Sequence, residues 1–130
     1  MKRDMDLVRE LLLKLESLPM ERGDAFVLSP DDSRIAVDGY SGDEIGYHLS
    51  LILEAGFVED PGSQPMDGIT FTRLSWRGHE FLDTVRSPQV WTETKSGLAK
   101  IGGASVELAW EIAKGYAKHL ARERLGIDLP

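Results

Sequence analysis

Apolar residues at Met5, Val8, Leu11, Leu12, Leu15 and Leu18 recur every three or four positions and make one stripe of an amphipathic helix. Asp4 stands where an N-cap belongs, and Asp6 suits the positive end of the helix dipole. Pro19 ends the helix at or before Leu18. The turn formers Gly23, Ser29, Pro30, Asp31, Asp32 and Ser33 then mark a connection. Two short apolar runs interrupt it, Ala25-Phe26-Val27-Leu28 and Arg34-Ile35-Ala36-Val37, and each predicts a strand.

Ser41 opens the clearest helix start in the chain. Ser41 with Glu44 three residues on is a capping box, and Tyr40 with Ile45 has the spacing of a hydrophobic staple. Ile45, His48, Leu49, Ile52 and Leu53 share one face, and Gly56 ends the helix. Phe57-Val58-Glu59 and Ile69–Leu74 flank a turn-rich loop and predict a β-hairpin. Ser75 caps a further helix that runs through Val85, with Trp76, Phe81, Leu82 and Val85 apolar. Another follows Ser87 and Pro88 with Val90, Trp91, Thr94 and Leu98 apolar-facing, and Gly102-Gly103 breaks it. The last helix runs from about Ser105 to Leu125, with Val106, Ala109, Ile112, Ala113, Tyr116 and Leu120 on one face and Gly126 beyond its end. Trp76 is expected to pack across the hairpin base onto the helix that begins at Ser41; if fully buried, its replacement by Ala costs about 3–5 kcal/mol.

Two stretches resemble a known family. One is Met1-Lys2-Arg3-Asp4-Met5-Asp6-Leu7. The other is made of Ile45-Gly46-Tyr47-His48-Leu49, Leu53-Glu54-Ala55-Gly56-Phe57-Val58 and Leu74-Ser75-Trp76-Arg77-Gly78-His79-Glu80-Phe81-Leu82. Together, over residues 1 to 100, they resemble an uncharacterised bacterial and prophage-borne domain of unknown function, which implies no activity, substrate or catalytic residue. Tyr47-His48-Leu49 with the later Ala55-Gly56-Phe57-Val58 is also similar to winged-helix transcription regulators, where that stretch is the recognition helix running into the wing. The chain departs from those regulators just before this helix, where residues 34–39 are short and β-like. The expected class is therefore α+β: a winged-helix-like core of helices with a small β-hairpin wing, and additional C-terminal helices. Residues 1–86 form the core, and residues 87–130 a helical extension that packs on it or on a partner subunit.

Composition narrows the setting. The chain has 130 residues, enough for one domain or one domain with a helical appendage. It is 42% hydrophobic and 28% charged, close to the globular average. It has no cysteine, which removes disulfides and thiolate metal sites and fits a reducing cytosol. No apolar run is long enough to span a membrane, and Asp4, Asp6 and Glu10 interrupt the first helix in a way no signal peptide tolerates. A cytoplasmic location with no membrane partner is expected. The net charge of −7 argues against sequence-independent nucleic-acid binding, which rests on neutralising phosphates.

The same objection applies locally. Residues 41–60 hold Asp43, Glu44, Glu54, Glu59 and Asp60 and no Lys or Arg. The outward face of that helix is Asp43, Tyr47, Ser50, Leu51 and Glu54. Tyr47 and Leu51, four apart, suit a second buried face or a partner-contacting face better than a groove reader. The nearest wing cation is Arg73. Lys114, Lys118 and Arg122 form an i, i+4, i+8 stripe on the last helix, the ordinary pattern of a solvated face and otherwise the candidate nucleic-acid surface.

Chemistry finds little support. His48 lies on an apolar face and reads as a core histidine with one hydrogen bond; His79 and Glu80 are adjacent and diverge on a helix; nothing makes His48, His79 and His119 converge on a metal. Asp31-Asp32 reads as a solvated turn, and Asp43-Glu44 is explained by capping. No nucleophile elbow or phosphate loop is present. Trp76, Trp91 and Trp110 read as core or interface residues. The sequence thus points to a non-catalytic interaction or regulatory module without cofactor, a homo-oligomer with an unknown protein partner. A DNA-binding transcriptional regulator is the alternative.

Overall fold

The first helix, α1, spans Met5–Ser17 and buries Leu7, Val8, Leu11, Leu12 and Leu15. Asp4 caps it by accepting from the backbone N–H groups of Asp6 and Leu7. The computed structural model describes residues 1–102 and 105–130. Among them are five α-helices and one two-stranded antiparallel sheet, an α+β composition. They form two compact units, Met1–Glu80 and Phe81–Pro130.

In the first unit, β1 spans Phe26–Leu28, as the apolar run there predicts. The second strand expected, at residues 34–37, is instead a single 3₁₀ turn at Ser33–Ile35. The Asp32 side chain accepts from the Arg34 backbone N–H and from its guanidinium, which closes the chain into a turn before a strand can start. Ile35 is fully buried on that turn. Helix α2 spans Gly42–Glu54, with the Ser41–Glu44 capping box formed in both directions and Ile45, His48, Leu49 and Ile52 buried. α1 packs on α2 and on the 3₁₀ turn, and α2 packs on β2.

The expected hairpin is only partly formed. β2 spans Ile69–Phe71 and pairs with β1, in the register Phe26 opposite Phe71 and Leu28 opposite Ile69. Residues 57–59 join residues 72–75 through the antiparallel Val58–Leu74 bridge and three backbone hydrogen bonds, Glu59 N–H to the Arg73 carbonyl, Thr72 N–H to the Glu59 carbonyl and Ser75 N–H to the Phe57 carbonyl, and the pairing goes no further. The reason lies in the loop. The Gln64 side-chain amide takes both backbone groups of Thr70, donating to its carbonyl at 2.7 Å and accepting from its N–H at 2.8 Å. A side chain so occupies the edge that a hairpin partner would need. On the other edge Gly68, at φ +81°, brings the chain hard against the Leu28 carbonyl, where a Cβ has no room.

Helix α3 spans Trp76–Val85, and the division between the units falls within it. Ser75 Oγ accepts from Gly78 N–H at 3.0 Å, the capping predicted for it. The expectation that Trp76 is buried fails: it is 81% exposed. The buried stripe of α3 is Gly78, Phe81, Leu82 and Val85. Trp76 is two residues before Gly78, about 200° around the helix, and faces away.

In the second unit, α4 spans Pro88–Ile101 from its Ser87 cap and buries Val90, Trp91, Thr94 and Leu98, the four positions predicted. Gly102 ends it in the left-handed conformation; Gly103, the other half of the predicted break, lies outside the described residues. Helix α5 spans Val106–Leu125, capped by Ser105, and packs on α4. Gly97 faces Ile112, and a Cβ there would stand 3.3 Å from its side chain. Only Ala109 and Ala113 of α5 are buried; Val106, Ile112, Tyr116 and Leu120 of the predicted face are half-buried. Trp110 Nε1 donates to Thr84 Oγ1, and its ring meets Phe81 edge-on at 5.4 Å. Among the described residues no helix is long and apolar enough to cross a membrane.

Candidate functional site

Three faces of α2 do different work. The inward face is closed by a polar knot. His48, 1% exposed, presents Nδ1 to the Glu44 carbonyl at 2.7 Å, while its Nε2 accepts the Asp4 backbone N–H at 2.8 Å. The ring is thus a core histidine with two hydrogen bonds rather than the one expected, and its bonding requires the neutral Nδ1–H tautomer. Tyr40 donates its hydroxyl to Asp4 Oδ2 at 2.7 Å. The bond to that carboxylate, then burial and the neighbouring charges of Asp4, Asp6 and Glu44, push the phenol up to about 12.

A second face carries Gly42 and Gly46, four apart. The Asp31 carboxyl lies against Gly42. A Cβ on Gly46 would meet the Pro30 ring at 3.0 Å and Asp67 Oδ1 at 3.7 Å. The two connecting loops therefore reach the helix where it has no side chains, and they bring carboxylates with them.

The outward face is Asp43, Tyr47, Ser50, Leu51 and Glu54, as the spacing predicts. Asp43, Ser50 and Glu54 are exposed, Tyr47 is 38% exposed and Leu51 half-buried. None of Asp31, Asp43, Glu54 and Asp67 has an ion-pair partner among the described residues. Asp31 and Asp67 escape a reading of α2 alone, since they lie outside it. The Gly42–Gly46 repeat was their signal, because paired small residues mark a close approach.

Two cations of this unit, Arg34 and Arg73, are committed elsewhere. Arg34 is bidentate on Asp32, and this pairing first, with the backbone bond from Arg34, holds the Asp32 carboxyl at about 2. Arg73 pairs with Glu59 at 2.9 Å, which raises the guanidinium's pKa. Glu59 and Arg73 also line an open cleft together with Arg22 and Asp24.

Lys114, Lys118 and Arg122 lie along α5 as the spacing requires. Lys114 pairs with Glu111 at 3.0 Å and lies over the Trp110 ring at 5.0 Å; Arg122 pairs with Asp128 at 3.3 Å; Lys118 is exposed. The histidines stand apart in role. His79 faces Glu16 at 3.7 Å and His119 faces Glu123 at 3.8 Å. Among the described residues no group of three or more His, Asp or Glu is placed to hold a metal ion.

Fold and face together define a small α+β domain whose second helix offers an aromatic-aliphatic pair framed by free carboxylates. Residues 2–105 match the family described as Hypothetical protein (DUF2513), and the chain belongs to that family. It is 34% identical over 127 residues to an uncharacterised protein of Haemophilus influenzae, a match that covers 96% of this chain and 99% of the relative. No solved structure matches it. Neither description names an activity, and the function is unknown.

Proposed function

We propose that the chain is a non-catalytic interaction or regulatory module, cytoplasmic and homo-oligomeric, on a winged-helix-like scaffold of residues 1–86 with a helical extension over 87–130. The order α1, β1, 3₁₀ turn, α2, the 58–74 bridge and β2 supports the scaffold reading. It is the order of a winged helix whose usual second helix has shrunk to one turn. The relative in Haemophilus influenzae supports a bacterial origin, and the resemblance set out above supports a prophage one.

The observation that carries the interaction reading is the outward face of α2. In a winged helix that face meets DNA. Here it offers Tyr47 and Leu51 among unpaired carboxylates, which repel phosphate and suit a protein partner. A photo-crosslinking residue at Leu51, in the native host, should give a discrete adduct that the same group at exposed Glu93 on α4 does not. No adduct at Leu51 would remove this face from the reading.

The scaffold order also favours the alternative, a DNA-binding regulator that uses Lys114, Lys118 and Arg122 with Arg73. Labelled random-sequence duplex, titrated at low and at near-physiological salt, separates the two. The interaction module leaves the duplex free in both. Micromolar or tighter binding that weakens steeply with salt establishes the regulator instead.

A further inference from the structure

Resting on the interaction reading above, we infer that the outward face of α2 docks a cationic amphipathic helix of a partner protein. Asp43, Tyr47, Leu51 and Glu54 fall on successive turns, so the two apolar side chains sit between two carboxylates about 16 Å apart along the axis. Asp31 beside Gly42 and Asp67 beside Gly46 extend the negative rim along one flank. All four carboxylates are exposed and lack an ion-pair partner among the described residues, whereas the carboxylates Asp32 and Glu59 of the same unit are matched by Arg34 and Arg73. The surroundings match this imbalance. Met1–Glu80 holds sixteen Asp and Glu against eight Lys and Arg, and Phe81–Pro130 six against seven. The negative charge of the chain therefore resides wholly in the unit that carries α2.

An apolar centre within a charged rim is the anatomy of a protein interface. The complementary segment has two apolar anchors one turn apart, with Lys or Arg a turn beyond each. Its anchors cover Tyr47 and Leu51, and its cations meet Asp43, Glu54, Asp31 and Asp67. Such a helix lies along α2 by the ordinary helix-on-helix packing of exposed stripes. Electrostatic steering makes association fast and salt-sensitive, while the apolar pair sets residence time.

The test titrates a labelled synthetic leucine-lysine amphipathic helix with the full chain and reads fluorescence anisotropy. Wild type is expected to bind, more weakly as salt rises. Leu51→Ser is expected to weaken binding about tenfold, as is the charge pair Asp43→Asn with Glu54→Gln. Glu21→Gln with Asp24→Asn removes the same charge from an exposed loop of the same unit and is expected to change nothing. Thermal melts show that each variant is folded. Equal losses from the two charge pairs, or no loss from Leu51→Ser, would mean diffuse attraction of a polycation and overturn the site. Equal binding of a leucine-glutamate helix overturns the chemistry. A Leu51 adduct in cells without binding of the cationic helix overturns the cationic partner alone; absence of that adduct as well overturns the interaction reading with it.

Discussion

Asp4 does three jobs with one residue. Its carboxylate caps α1, its other oxygen accepts from Tyr40, and its backbone N–H satisfies His48, 44 residues away. Tyr40→Phe is expected to lower stability by about 1–2 kcal/mol, read from urea denaturation, because Asp4 then loses a charge-assisted partner. The alkaline side follows with its sign. The folded phenol titrates near 12 against 10.0 in the unfolded chain, so its contribution is whole below pH 10 and is lost as pH rises toward 12. Ultraviolet titration should find one of the three tyrosines ionising late, and Tyr40→Phe should abolish that phase. Core and surface separate as sharply. Leu49→Ala, at a fully buried position, should cost about 2–5 kcal/mol, while Trp76→Ala should stay within about 0.5 kcal/mol. The core role of His48 was legible because its neighbours at three- and four-residue spacing were apolar. Trp76 departs from its expected burial because its angular position, about 200° from Gly78, puts it off the buried stripe whatever its hydrophobicity.

Elements were legible wherever local chemistry alone specifies them. The Asp4, Ser41, Ser75 and Ser87 caps and the periodic stripes placed the five helices of the described residues, since capping and amphipathicity are decided within a few residues. The strands were less so, since pairing is decided at a distance. Nothing within residues 26–28 says that their partner is 69–71, and the hairpin that proximity suggests forms between residues 57–59 and 72–75 but stops at Thr70, whose backbone groups Gln64 takes. Gln64→Ala should free the Thr70 backbone groups and cost about 1 kcal/mol or somewhat more, with Thr70 amide exchange rising first. Close approach is a second long-range effect. Gly78 lies against the Phe57 backbone carbonyl, leaving no room for a Cβ. Gly78→Ala should therefore cost about 1–3 kcal/mol although alanine is the better helix former. A denaturation midpoint at or above that of wild type would refute this placement of α3.

At the scale of the molecule, the candidate face was half visible. Tyr47, Leu51 and the lack of cations in residues 41–60 could be read directly. The contribution of Asp31 and Asp67 could not, because it depends on where two loops meet Gly42 and Gly46. The placement of the tryptophans has its own consequence. Trp91 is buried and Trp110 half-buried in Phe81–Pro130, while Trp76, in Met1–Glu80, already faces solvent. Indole emission changes little when Met1–Glu80 unfolds and shifts when Phe81–Pro130 does. An optical melt followed by tryptophan alone thus reports one unit and is nearly blind to the one that carries α2. Far-ultraviolet dichroism weighs the helices of both, so coincident midpoints from the two signals mean a single cooperative transition, and separated midpoints identify by their order which unit opens first.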